Sequence, residues 1–210
     1  MRRHLVLALW LLLPMAWVGH AQELTAPTAL LSQVQAQLQQ APVLRGEFTQ
    51  EKTLKGFKQP LLSSGRFVVA QGKGMVWLVQ QPFASTLRLS PQALQSLQAD
   101  GSLAFEMQAS QEPVVRTINS MLLAVMSADV ALLHQHFHVT GSVQGSKGWQ
   151  LTLTPRDKML AQWIQKIEVQ GQQFVQQVKL LEGQGEVSLI SIRNMALAQS
   201  LQGLDAQLFD

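Results

Sequence analysis

Along residues 45–83 apolar and polar positions alternate, so each segment can turn one face to a dry interior and the other to water. Segments 46–54, 63–71 and 75–80 are therefore predicted as antiparallel strands. A connection containing Lys55 and Pro60 joins the first two, and a tight Gly72-Lys73-Gly74 turn the last two. Their apolar side carries Phe48, Phe67, Val69, Met75, Trp77 and Val79, which is bulky for a sheet whose other face is wetted. Pro82 ends the ladder. Shorter alternating segments follow at 85–89, 94–97 and 103–107, with turns at Ser90-Pro91 and Asp100-Gly101. Strands resume at 138–143, 149–154, 164–170, 174–181 and 186–194, separated by glycines such as Gly145, Gly171 and Gly183.

Helical spacing interrupts this pattern twice. Thr25-Ala26-Pro27 opens a helix through about Gln40, with Leu30, Leu31, Val34 and Leu38 on one face and glutamines on the other. In the middle of the chain Pro113 can start a helix carrying Val114, Val115, Ile118, Met121, Leu122, Val125 and Met126, and Ser127 and Asp129 offer a cap for a second piece through about His136. A helix apolar on more than one side is either a core helix or a lining for something apolar that is not protein. Met121, Leu122 and Met126 would give such a lining pliability. Residues 196–210 place Leu197, Leu201, Leu204 and Leu208 on an edge segment or a short helix, and the pattern does not decide between them. The fold class is mainly β (α+β), an antiparallel array of ten or so strands with three helices.

Composition narrows the class. The chain has 210 residues, 47% hydrophobic and 14% charged, with a formal net charge of +3, which describes a globular domain. The pI of about 9.5 reflects few acids; without a basic stripe and interleaved aromatics, nucleic acid is not an expected partner. Arg2 and Arg3, an apolar run over residues 5–18 and Gly19-His20-Ala21 form a signal peptide, with cleavage expected after Ala21. That run is shorter than the roughly 20 residues of a spanning helix. Residues 1–21 are thus read as an export signal and 22–210 as a single periplasmic domain, expected to be a monomer. No cysteine occurs, which excludes disulfides, thiol catalysis and zinc-thiolate sites.

The search for chemistry is mostly negative. No nucleophile elbow, phosphate loop, zinc-protease motif or dinucleotide fingerprint is present, and the sparse acids form no pair for acid-base work. The expectation is a protein that is not an enzyme and has no cofactor. His134, His136 and His138 alternate and could share a face with zinc if extended. Phe137 and Val139 instead suggest a strand starting near His136 with His134 still helical, and no carboxylate is near, so no metal is assigned. Lys52, Lys55 and Lys58 cluster around the first long loop, as a solvated rim or as contacts to lipid head groups or an acidic surface.

The order of Gly46-Glu47-Phe48-Thr49-Gln50-Glu51-Lys52, Gly65 leading an apolar strand, Trp77, and Gln81-Pro82 resembles the outer-membrane lipoprotein carrier family, the periplasmic LolA-type proteins. The resemblance implies an unclosed antiparallel β half-barrel with helices covering its concave face. It implies a carrier that takes acylated cargo, a lipid or lipoprotein, from an inner-membrane exporter and delivers it to an outer-membrane acceptor. Phe48, Phe67, Val69, Gln71, Met75, Trp77, Val79, Leu87 and Leu89 would then form the cavity wall, and Ile118, Met121, Leu122, Val125 and Met126 the lid. One position departs: lipoprotein carriers of this type have an arginine six residues before the tryptophan, where this chain has Gln71. Glutamine makes fewer fixed hydrogen bonds than a guanidinium fork, so lid control differs and another acyl lipid is favoured over lipoproteins. The alternative is a non-catalytic envelope interaction module, the same half-barrel filled by its own side chains.

Overall fold

A computed structural model describes residues 27–111 and 130–209. Eleven antiparallel strands form one sheet in the order β6-β5-β4-β3-β2-β1-β11-β10-β9-β8-β7. They are β1 (Val43–Thr53), β2 (Leu61–Ala70), β3 (Gly74–Gln81), β4 (Ser85–Leu89), β5 (Ala93–Gln98), β6 (Leu103–Gln108), β7 (Phe137–Val143), β8 (Trp149–Pro155), β9 (Ile164–Gly171), β10 (Val175–Glu182) and β11 (Val187–Ala198). The sheet is unclosed: β6 and β7 are its two edges. The helices are α1 (Pro27–Gln37), α2 (Val130–His136), α3 (Lys158–Trp163) and α4 (Leu204–Gln207).

Each expected strand is present, with ends shifted by a few residues. The predicted first helix is shorter, because the chain leaves α1 after Gln37 and the backbone N–H of Gln39 donates to the carbonyl of Gln173 on the β9–β10 turn. The α3 turn was not expected. Asp157 caps it, accepting from the N–H groups of Met159 and Leu160, and it buries Leu160. The tail divides: its first residues extend β11, which lies inside the sheet rather than at an edge, to Ala198, and the short helix α4 follows.

Pairing fixes which residues share a face. Phe67 lies opposite Trp77, Trp77 opposite Leu87, and Val69 opposite Met75, which is itself opposite Leu89. Directly opposed residues point to the same side, so these side chains form one inner face, continued through Phe48 to Ile192 on β11. The core on this face joins α1 (Leu30, Leu31, Val34) and α2 (Leu133) to Phe48, Phe67, Phe137, Leu153 and Ile167.

The opposite face has its own, smaller core. Val43, Val68 and Ala70 pack against Ala198, Leu201, Leu208 and Phe209 of the C-terminal segment. Asp205 anchors this segment, its carboxylate pairing with Arg45 and, at 3.1 Å, with Arg66.

Candidate functional site

The most crowded part of the inner face is aromatic. Phe48 and Phe67 are buried, and Trp77 is half-buried between them and β4. Trp77 stacks on Phe48 with ring centroids 3.8 Å apart and on Phe67 at 5.6 Å. Phe48 stands on β1 and Trp77 on β3, with β2 between them. The approach depends on Gly65, which faces Phe48 across β1–β2 and Val79 across β2–β3. A Cβ there would stand 3.0 Å from the Phe48 ring and 1.8 Å from the carbonyl oxygen of Leu78. Gly46 clears the neighbouring position: its Cβ would lie 2.7 Å from the Phe67 ring and 2.6 Å from the Met195 sulfur. Two glycines thus let three rings occupy one patch of sheet.

Around this patch the structure brings Val69, Met75, Val79, Leu87 and Leu89 onto the same face, with Met75 and Leu89 buried and Val69, Val79 and Leu87 half-buried. Gln71 is placed differently, exposed in the turn after β2. There it lines a recess of about 380 Å³ with Leu44, Val69, Leu197 and the Gln39–Pro42 stretch. Ile118, Met121, Leu122, Val125 and Met126 lie outside the described residues.

The second half of the chain supplies wall that sequence reasoning did not assign. Val178, Leu180, Ile190 and Met195 pack against the inner core beside Ile192. The signal was ambiguous because Leu189 and Ile190 are consecutive, so the pattern does not say which one faces inward. A second recess, of about 770 Å³, opens at the end of the sheet where β1 begins. Its floor includes Ile192, Val175 and Met195, and its rim combines the amides of Gln37, Gln172, Gln173, Gln176 and Asn194 with the exposed Arg193. Such a rim can donate and accept hydrogen bonds and carries one cation.

The other end of the inner face is closed by charge. Lys52 Nζ lies 2.9 Å from Glu182 and 3.1 Å from Glu186, and Ser188 donates to Glu182 while accepting from Gln50. Lys52 is therefore no solvated rim residue. Partial burial works to lower its pKa, but the two carboxylates outweigh that and raise it above the ordinary lysine value. The apolar wall thus has a polar stop at one end and amide-rimmed recesses at the other.

The histidines do not gather. His134 and His136 end α2, while His138 is exposed on β7. Among the described residues no three His, Asp or Glu side chains could hold a metal ion together. Nor, among them, is any helix long and apolar enough to cross a membrane.

A family model described as "Outer membrane lipoprotein carrier protein LolA-like" matches residues 25–189. No curated protein matches the sequence significantly. The fold is similar to the crystal structure of a LolA superfamily protein from Nitrosomonas europaea (11% identity, TM-score 0.48, 88% of this chain and 97% of that one). It is also similar to a putative outer membrane lipoprotein-sorting protein domain from Vibrio parahaemolyticus (8% identity, TM-score 0.45, 87% and 98%). The Pseudomonas aeruginosa MucA/MucB complex contains another similar chain (14% identity, TM-score 0.43, 87% and 60%).

Proposed function

The chain belongs to the LolA-like outer membrane lipoprotein carrier family, and we propose that it acts as a non-catalytic periplasmic carrier that shields the acyl chains of a lipid or lipoprotein. Residues 1–21 direct export, and residues 22–210 form one carrier domain that moves between an inner-membrane exporter and an outer-membrane acceptor. The observation that carries this reading is the continuous inner face from Trp77 and Phe48 to Ile192, with the amide-rimmed recess at one end of it. Phe48, Phe67, Val69, Met75, Trp77, Val79, Leu87 and Leu89 are the proposed acyl wall, Gln71 stands at its rim, and Ile118, Met121, Leu122, Val125 and Met126 are the proposed lid. Burial is worth about 0.8 kcal/mol per methylene, so one long chain gains on the order of 10 kcal/mol over water. That suffices for shielding in transit, and release requires an acceptor of comparable or greater affinity.

The packing of Leu30, Leu31 and Val34 onto the same face favours a second reading, a half-barrel filled by its own side chains that binds a protein partner. Mass spectrometry of organic extracts from the protein purified out of its native periplasm separates the two. A carrier yields a defined acyl lipid in near-stoichiometric amount; recovery of none supports the filled module.

A further inference from the structure

The sheet ends differ in character. At the end where β1 stops and β2 begins, Phe57 is 63% exposed, Phe83 83% and Trp163 64%, and Leu61, Leu62 and Met159 are exposed at the same end. These six side chains come from four segments: the β1–β2 connection, the start of β2, the β3–β4 turn and α3. The opposite end carries the glutamine rim instead.

The segments are tied into one platform. Leu61 pairs with Lys52 across β1–β2, Lys52 holds Glu182 and Glu186 of the β10–β11 hairpin, and Gly183 in that hairpin donates its N–H to the carbonyl of Trp163 at 2.9 Å. Lysines flank the apolar tips: Lys55 and Lys58 bracket Phe57, and Lys158 precedes Met159. Of the nearby acids, Glu182 and Glu186 are engaged by Lys52 and Asp157 by the α3 cap, while Glu51, opposite Leu62, is exposed. Protruding apolar tips with lysines at their base suit a lipid surface, where the tips sit below the head groups and the ammonium groups meet phosphates. A protein-binding patch would be depleted in lysine at its centre.

We propose that this end of the molecule docks on an anionic bilayer, with Phe57, Phe83 and Trp163 as its inserted residues. The inference goes beyond cargo binding and does not depend on it. Its test is co-sedimentation of soluble protein, recovered from cells expressing the full-length chain, with vesicles of phosphatidylethanolamine and phosphatidylglycerol. The protein is expected to sediment with these vesicles. Partitioning is expected to fall about tenfold or more in the Phe57→Ser, Phe83→Ser double variant, and Trp163 emission to be quenched by brominated acyl chains. Leu204→Ser alters an exposed residue of the C-terminal segment and is expected to bind as the parent does. All of these side chains are exposed, so circular dichroism should show unchanged folding. Absence of sedimentation, or sedimentation equal in the double variant, overturns the proposal, as does a patch that engages a protein partner but no vesicle. Loss of acyl-probe binding with vesicle docking intact would instead count against the carrier reading alone.

Discussion

The Phe48 ring lies across Gly65 and stacks on Trp77 two strands away, with centroids 3.8 Å apart. This contact makes the inner face a continuous aromatic surface rather than a row of separate strands. It depends on the missing side chain at position 65. Gly65→Ala is expected to push the Phe48 ring aside and to collide with the Leu78 carbonyl, at a cost of about 3 kcal/mol. Urea unfolding measures the loss, and a variant as stable as the parent would show that the strands can shift freely.

Phe48 itself is fully buried. Phe48→Ala is expected to cost about 3–5 kcal/mol in stability. Phe48→Leu retains most of the apolar volume but removes the stack, so it should remain folded while shifting Trp77 emission. Chemical denaturation and fluorescence spectra of both variants check this.

Asp205 gives the C-terminal segment a defined acid sensitivity. Burial works to raise its pKa, but hydrogen bonds and charge from Arg45 and Arg66 outweigh it and hold the carboxyl below the ordinary aspartate value. A carboxylate depressed in the folded state contributes stability above its unfolded pKa and loses it as pH falls through the folded value. The segment over Val43, Val68 and Ala70 should therefore loosen below about pH 4. Asp205→Asn should cost about 1–3 kcal/mol at neutral pH and flatten that acid dependence. Hydrogen exchange of residues 199–209 across pH reads both effects.

Lys52 has the opposite sign. Its raised pKa means that the stability from its contacts with Glu182 and Glu186 is fully present below the unfolded lysine value and declines as pH rises through the folded one. Lys52→Met leaves the two carboxylates facing each other without a cation. Its midpoint of thermal unfolding should be lower than the parent's at neutral pH and should converge on it in strong alkali.

Much of the inner face was legible because β1 to β4 are joined in sequence, so parity carries from Phe48 through Trp77 to Leu89 even across the unbroken apolar runs 67–69 and 75–79. Segment 85–89 coincides with β4 to the residue. The α3 turn escaped because six residues around one buried leucine show no helical period. Lys52 read as solvated because its carboxylate partner Glu182 lies 130 residues away, and Asp205 could not be assigned because Arg45 and Arg66 lie 160 and 139 residues away. Charge pairing at such separations is set by strand order, β1 beside β11, and local sequence carries no mark of it.

Titration of delipidated protein with a fluorescent fatty-acyl probe, followed through tryptophan emission, tests cargo binding most directly. Trp77 is the half-buried tryptophan on the inner face, whereas Trp149 is buried with its indole N–H donating to the Gln172 carbonyl and Trp163 is exposed. A carrier shows saturable binding with a change in emission that disappears in Trp77→Phe and is displaced by unlabelled acyl lipid. Absence of binding together with unchanged emission contradicts an acyl-chain wall on this face.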